Sequence, residues 1–70
     1  MSVNLIHEGL VLEMDVTSRS YILVVLSVDP EKWVKSWRCA IIHNELGGDE
    51  PGDVVSFEET VLRRNFKRIT

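Results

Sequence analysis

The chain has 70 residues, 44% hydrophobic and 27% charged, with a formal net charge of −3. That length holds one small domain, residues 1–70, with a core near the lower limit of self-sufficiency, so completion by a homodimer or by docking into a larger assembly is expected. The acidic balance argues against non-specific phosphate neutralisation, and the longest apolar run, Tyr21 to Leu26, is far too short for the roughly 20 residues of a membrane span.

Cys39 is the only cysteine and no secretory signal pattern opens the chain, which points to a reducing cytoplasm. In LIHEGLVLEMDV, Leu5 to Val16, the residues Ile6, Leu10, Leu12, Met14 and Val16 share one parity, while His7, Gly9, Glu13 and Asp15 share the other. This is the period-two pattern of a strand with one buried face, and Gly9 marks a bulge or sharp bend within it. TSRS, Thr17 to Ser20, reads as a hairpin turn. SYILVVLSV, Ser20 to Val28, is apolar on both faces, the pattern of a central strand covered on both sides.

DPEKWVKSWRCAII, Asp29 to Ile42, admits two readings. Asp29 as cap, Pro30 at the first position, a Glu31–Lys35 pair and a terminating Gly47 favour a helix. The β-preferring WRCAII and the scatter of Cys39, Ile42 and Leu46 off the helical stripe favour a turn at Pro30 and a strand from about Ser36 to His43, and the balance leans to the strand. Asn44 to Asp53, with three of the four glycines, is a loop. DVVSFEE follows as a strand, and Ser56 with Glu59 forms a capping pattern, so a brief helical turn through Val61 and Leu62 is expected before FKRI closes the sheet.

Five short strands of this kind suggest a mainly β fold, a small closed or partly open barrel. The run from HEGLVLEMDV through PGDVVSF to the terminal KRIT resembles the layout of OB-fold and SH3-like barrels, in which a glycine bends the first strand and a PGD-type turn precedes the fourth. If residues 30–46 are helical, the expectation is instead an α+β fold, with that helix packed on a small antiparallel sheet.

The resemblance to OB-like barrels implies single-stranded nucleic acid as a ligand class, with bases stacked on aromatics over a basic groove. Trp33 and Trp37 among Lys32, Lys35 and Arg38 have that composition, as do Arg63, Arg64, Lys67 and Arg68 around Phe66. The opposing reading puts one tryptophan and Phe66 in the core under a solvated basic rim. The same chain suits protein recognition, with an acidic loop from Glu45 to Asp53, a basic tail from Arg63 to Arg68, and Trp33 as the more exposed tryptophan.

Catalytic and metal readings find little. Cys39 and His43 would share a helical face, but only His7 could extend the ligand set; in a strand they share a face about 13 Å apart. Glu58 and Glu59 point apart in a strand, and LGGDEPGD lacks the Lys and Ser/Thr of a phosphate loop. No catalytic, metal or cofactor site is expected. The expected role is that of a non-enzymatic accessory or regulatory binding module with a protein partner, and single-stranded nucleic acid is the competing ligand.

Overall fold

The computed structural model describes residues 5–69. Five antiparallel strands form one sheet: β1 Val11–Val16, β2 Arg19–Val28, β3 Ser36–Asn44, β4 Val54–Glu58 and β5 Lys67–Arg68, with a helix, α1 Glu59–Asn65, between the last two. Their spatial order is β4-β3-β2-β1-β5, so four strands run as a meander and α1 carries the chain back to pair with β1. The sheet is open, with β4 and β5 as its edges.

The first strand begins later than its alternation suggests. Gly9, at φ +84°, turns a corner before it, where the Gly9 N–H donates to the Val25 carbonyl and the Val25 N–H to the Leu10 carbonyl, both at 2.8 Å. Ile6 and Leu10 therefore reach the core from a bend, while Leu12 reaches it from the strand. The β1–β2 turn is tighter than expected: only Thr17 and Ser18 lie between paired Val16 and Arg19, and both have positive φ (47° and 66°), as a type I′ turn requires.

No helix forms over 30–46, which corrects the α+β alternative. Asp29 does act as a cap, but of a turn: its Oδ1 accepts from the Glu31 N–H at 3.0 Å, the Asx arrangement, and the Asp29 N–H donates to the Ser36 carbonyl, closing the loop where β3 starts. From Ser36 the β-branched and aromatic residues find two neighbouring strands to pair with, and these long-range ladders prevail over the local helical signals.

Register alternation divides the sheet into an inner and an outer face. Inward go Leu12, Tyr21, Leu23, Val25, Trp37, Cys39 and Ile41, joined by Ile6, Leu10, Leu62 of α1 and Phe66. Tyr21, Phe57 and Phe66 meet edge to face with centroids 5.8 to 6.2 Å apart, so aromatics from β2, from edge strand β4 and from beside β5 converge over the inner face. The Tyr21 hydroxyl donates to Asp49 Oδ2 at 3.1 Å and ties down the β3–β4 loop.

Two further expectations are corrected. The segment after β4 is a full seven-residue helix, and its N-cap is Glu58 without a side-chain cap bond. Ser56, the expected cap, points its hydroxyl to Asp29 instead. β2 is covered on its inner face alone among the described residues, with Leu26 exposed on the other.

Candidate functional site

The outer face carries the chain's most distinctive surface. Pairing aligns Val11 with Val24, Val24 with Ala40 and Ala40 with Val54, and the β5 register continues so that the Ile69 N–H donates to the Val11 carbonyl at 3.0 Å. Ile69, just past β5, and Val11, Val24, Ala40 and Val54 of the other four strands thus form an apolar row across the sheet. Val54 is 57% exposed and Ile69 47%.

Two irregularities enlarge this surface. The β2–β3 register shifts between Ile22 and Leu23 and again between Val25 and Ser27, leaving Ile42 on β3 and Leu26 on β2 as extra residues without a cross-strand partner. Both are exposed, one on either side of the row. Because of the first shift His43 pairs with Ile22 on the outer face while Cys39 stays inside. The expectation that the two share a strand face is thereby corrected: one inserted residue reverses the parity.

Several polar and charged side chains flanking the row pair within the chain. Lys67 Nζ lies 3.0 Å from Asp15 Oδ2 and 3.6 Å from Glu13, Arg38 lies 3.7 Å from Asp29, and His43 lies 3.5 Å from Glu45. The Lys67 hydrogen bond, helped by Ser20, holds the Asp15 carboxyl below its ordinary pKa, and Asp15 in turn raises that of Lys67. Asp29 is depressed by the Ser56 hydroxyl first, then by the Glu31 N–H and the Arg38 charge. Asp29 and Ser36, which bracket the loop at this end of the face, are both buried.

Of the eight sequence-derived binding residues, the two tryptophans part company. Trp33 is fully exposed on that loop, beside a groove of about 350 Å³ lined by Lys32, Val34, Ser36, Ser56 and Glu58. Trp37 is 6% exposed and belongs to the core; its Nε1–H donates to Glu59 Oε1 at 3.1 Å, and the Lys35 ammonium sits 5.6 Å from its ring centroid while pairing with Glu59. Arg63, Arg64 and Lys67 line a different groove, of about 380 Å³, with Glu13 and Asp15. Arg68 stands in β5 opposite Leu12. The first groove borders β4 and the second borders β1 and β5, so Trp33 and the basic helix lie towards opposite edges of the sheet.

What the sequence reading missed is the outer face. Its signal was present in the two-sided apolarity of β2, but the partners that complete the row come from three other strands and from Ile69 just past β5. Cys39 is buried, and burial pushes its thiol up to about 12, far from the thiolate a nucleophile requires. No group of three or more His, Cys, Asp or Glu among the described residues is arranged to hold a metal ion, and none of the described helices is long and apolar enough to cross a membrane. Comparison with protein-family models, with curated proteins and with solved structures yields no match.

Proposed function

We propose that this chain is a non-catalytic binding module that docks onto protein through the outer face of its sheet, serving as an accessory or regulatory component of a larger assembly in the cytoplasm. The observation that supports this most is the uncovered apolar row from Ile69 to Val54, widened by Leu26 and Ile42. Contiguous apolar surface of a few hundred Å² rimmed by polar groups marks interaction sites on soluble domains. Trp33, with Lys32 and Val34 beside it, supplies at the rim an aromatic of the kind that anchors protein interfaces. For the fold, we infer an SH3-like barrel left open between β4 and β5: β5 returns to β1, and Phe57 and Phe66 bring the two edges into contact across the core.

Single-stranded nucleic acid is the weaker reading, because stacking needs aromatics and cations on one face, whereas Trp37 is core and the basic helix lies away from Trp33. The test pairs two measurements on the intact chain. Mixed-sequence oligonucleotide should leave Trp33 fluorescence unchanged at physiological salt, and protein captured from a lysate by the wild type should be lost when Ile42→Lys is used as bait. Saturable quenching, or capture indifferent to Ile42→Lys, overturns the reading.

A further inference from the structure

We propose that β4 is a docking edge that takes an extended, β-branched segment of a partner protein as a sixth strand. The inference rests on the reading that this chain binds protein; it adds a second surface beside the outer face and names the class of segment that fits it.

The register decides which backbone groups are free. The Ile41 N–H donates to the Asp53 carbonyl and the Glu59 N–H to the Lys35 carbonyl, each at 2.9 Å, at the two ends of the β3–β4 ladder. Hydrogen-bonded pairs alternate in an antiparallel ladder, so Val55 and Phe57 turn their backbone groups to β3, while Val54, Ser56 and Glu58 turn theirs off the sheet. The Glu58 carbonyl is committed to the first turn of α1, where Glu58 is the N-cap. That leaves the N–H groups of Val54, Ser56 and Glu58 and the carbonyls of Val54 and Ser56, on a side where β4 has no neighbouring strand among the described residues. Donors and acceptors repeating at every second residue are complementary to the backbone of another strand.

The two edges of the sheet differ. β5 is two residues long, Lys67 and Arg68, and short cationic edges resist pairing. β4 runs five residues, VVSFE, with no proline, no lysine and no register shift against β3, and its one charge is Glu58 at the end. The devices that blunt an exposed edge are therefore missing from Val54 to Phe57.

The flanking side chains set the composition of the added strand. Its inward residues would meet Val55 and Phe57, which pack on the core yet stay only half-buried. Its outward residues would lie beside Val54, 57% exposed, and beside the groove of about 350 Å³ where Ser56 and Glu58 face Trp33 and Val34. Both sides favour the β-branched residues common in strands.

The experiment titrates the full, isotope-labelled chain with a capped peptide, Lys-Val-Thr-Val-Thr-Val-Lys, and follows amide chemical shifts. One added strand buries less than a standard interface, so a dissociation constant on the order of 100 µM is expected, with the Val54, Ser56 and Glu58 N–H signals moving downfield. The same peptide methylated on its five central amide nitrogens should not bind. Glu58→Pro is the matching change in the chain, because Glu58 has φ −62°, within the range a proline ring fixes, and its N–H faces away from β3. It should weaken binding about tenfold with unchanged circular dichroism, whereas Glu58→Gln, which keeps the N–H, should bind as wild type does. Should Glu58→Pro fail to fold, the methylated peptide decides. Ile42→Lys should bind the peptide normally, since it alters the face and not the edge. No shift up to about 2 mM peptide, equal binding of the methylated peptide, or indifference of a folded Glu58→Pro overturns the edge and leaves the outer face to its own capture test. Loss of peptide binding in Ile42→Lys places the peptide on the face and overturns the edge as well.

Discussion

Trp33 and Trp37 lie four residues apart and invite one paired experiment, alanine replacement of each. Trp37 is 6% exposed, packs with Cys39 and the other core residues, and spends its one donor on Glu59 at 3.1 Å. Removing it leaves a cavity where the indole was and strips Glu59 of that partner, a loss of about 3 to 5 kcal/mol by the usual range for buried Trp→Ala. A 70-residue domain has on the order of 4 to 10 kcal/mol in total, so this variant is expected to sit close to its unfolding midpoint at room temperature. Its melting temperature should fall by roughly 12 to 40 °C. Trp33, in contrast, contacts solvent over its whole side chain, and Trp33→Ala should change stability by less than about 0.5 kcal/mol. Urea titration followed by far-ultraviolet circular dichroism measures both on one scale. Near-equal losses, or a Trp37→Ala cost below about 1 kcal/mol, would refute the division of the two residues between core and surface.

Three other predictions address separate parts of the fold. The positive φ angles of Thr17 and Ser18 strain two residues that dislike that region, so Thr17→Asn with Ser18→Gly, the favoured type I′ pair, should raise stability by about 1 to 2 kcal/mol in the same titration; a loss would show that the Thr17 hydroxyl bond to the Val16 carbonyl matters more. The folded pKa of Asp29 is depressed, so its contribution is fully present above the unfolded carboxyl value of about 3.9 and is lost as pH falls through the lower folded value. The urea midpoint should therefore drop on the acid side, less steeply in Asp29→Asn, with Asp15 and Glu45, which are also depressed, keeping part of the slope; equal slopes would exclude Asp29 as a source. Cys39, buried with its thiol raised to about 12, should react with a thiol reagent at pH 8 only as fast as the domain opens, and rapid labelling of the folded chain would place it at the surface.

Local patterning carried most of the fold to the page. The turn residues from Asn44 to Asp53 mark the long loop and the β-preferring run after Ser36 identifies β3, because each depends on neighbours within a few residues; the parity of Ile6, Leu10, Leu12, Met14 and Val16 holds only in part, since Ile6 and Leu10 precede β1 and Val16 is exposed. The exposure of Trp33 was also foreseeable, since Asp29 and Pro30 open a turn that places it before the strand. Other features belong to pairings between distant segments. The Ser56 hydroxyl had a capping partner in sequence and took Asp29 instead, 27 residues away. One extra residue at Ile42 put His43 and Cys39 on opposite faces, and nothing in the sequence around it announces an insertion that exists only relative to β2.

The outer face is the clearest case. The sequence by itself determined that β2 is apolar on both sides and that the chain carries a net charge of −3. Only the tertiary structure decided that one side of β2 lies open and that Ile69, Val11, Val24, Ala40 and Val54 align across it. Alternation fixes which residues of a strand share a face, but what covers that face, and which residues stand beside it, depends on strand order and register set by contacts far apart along the chain.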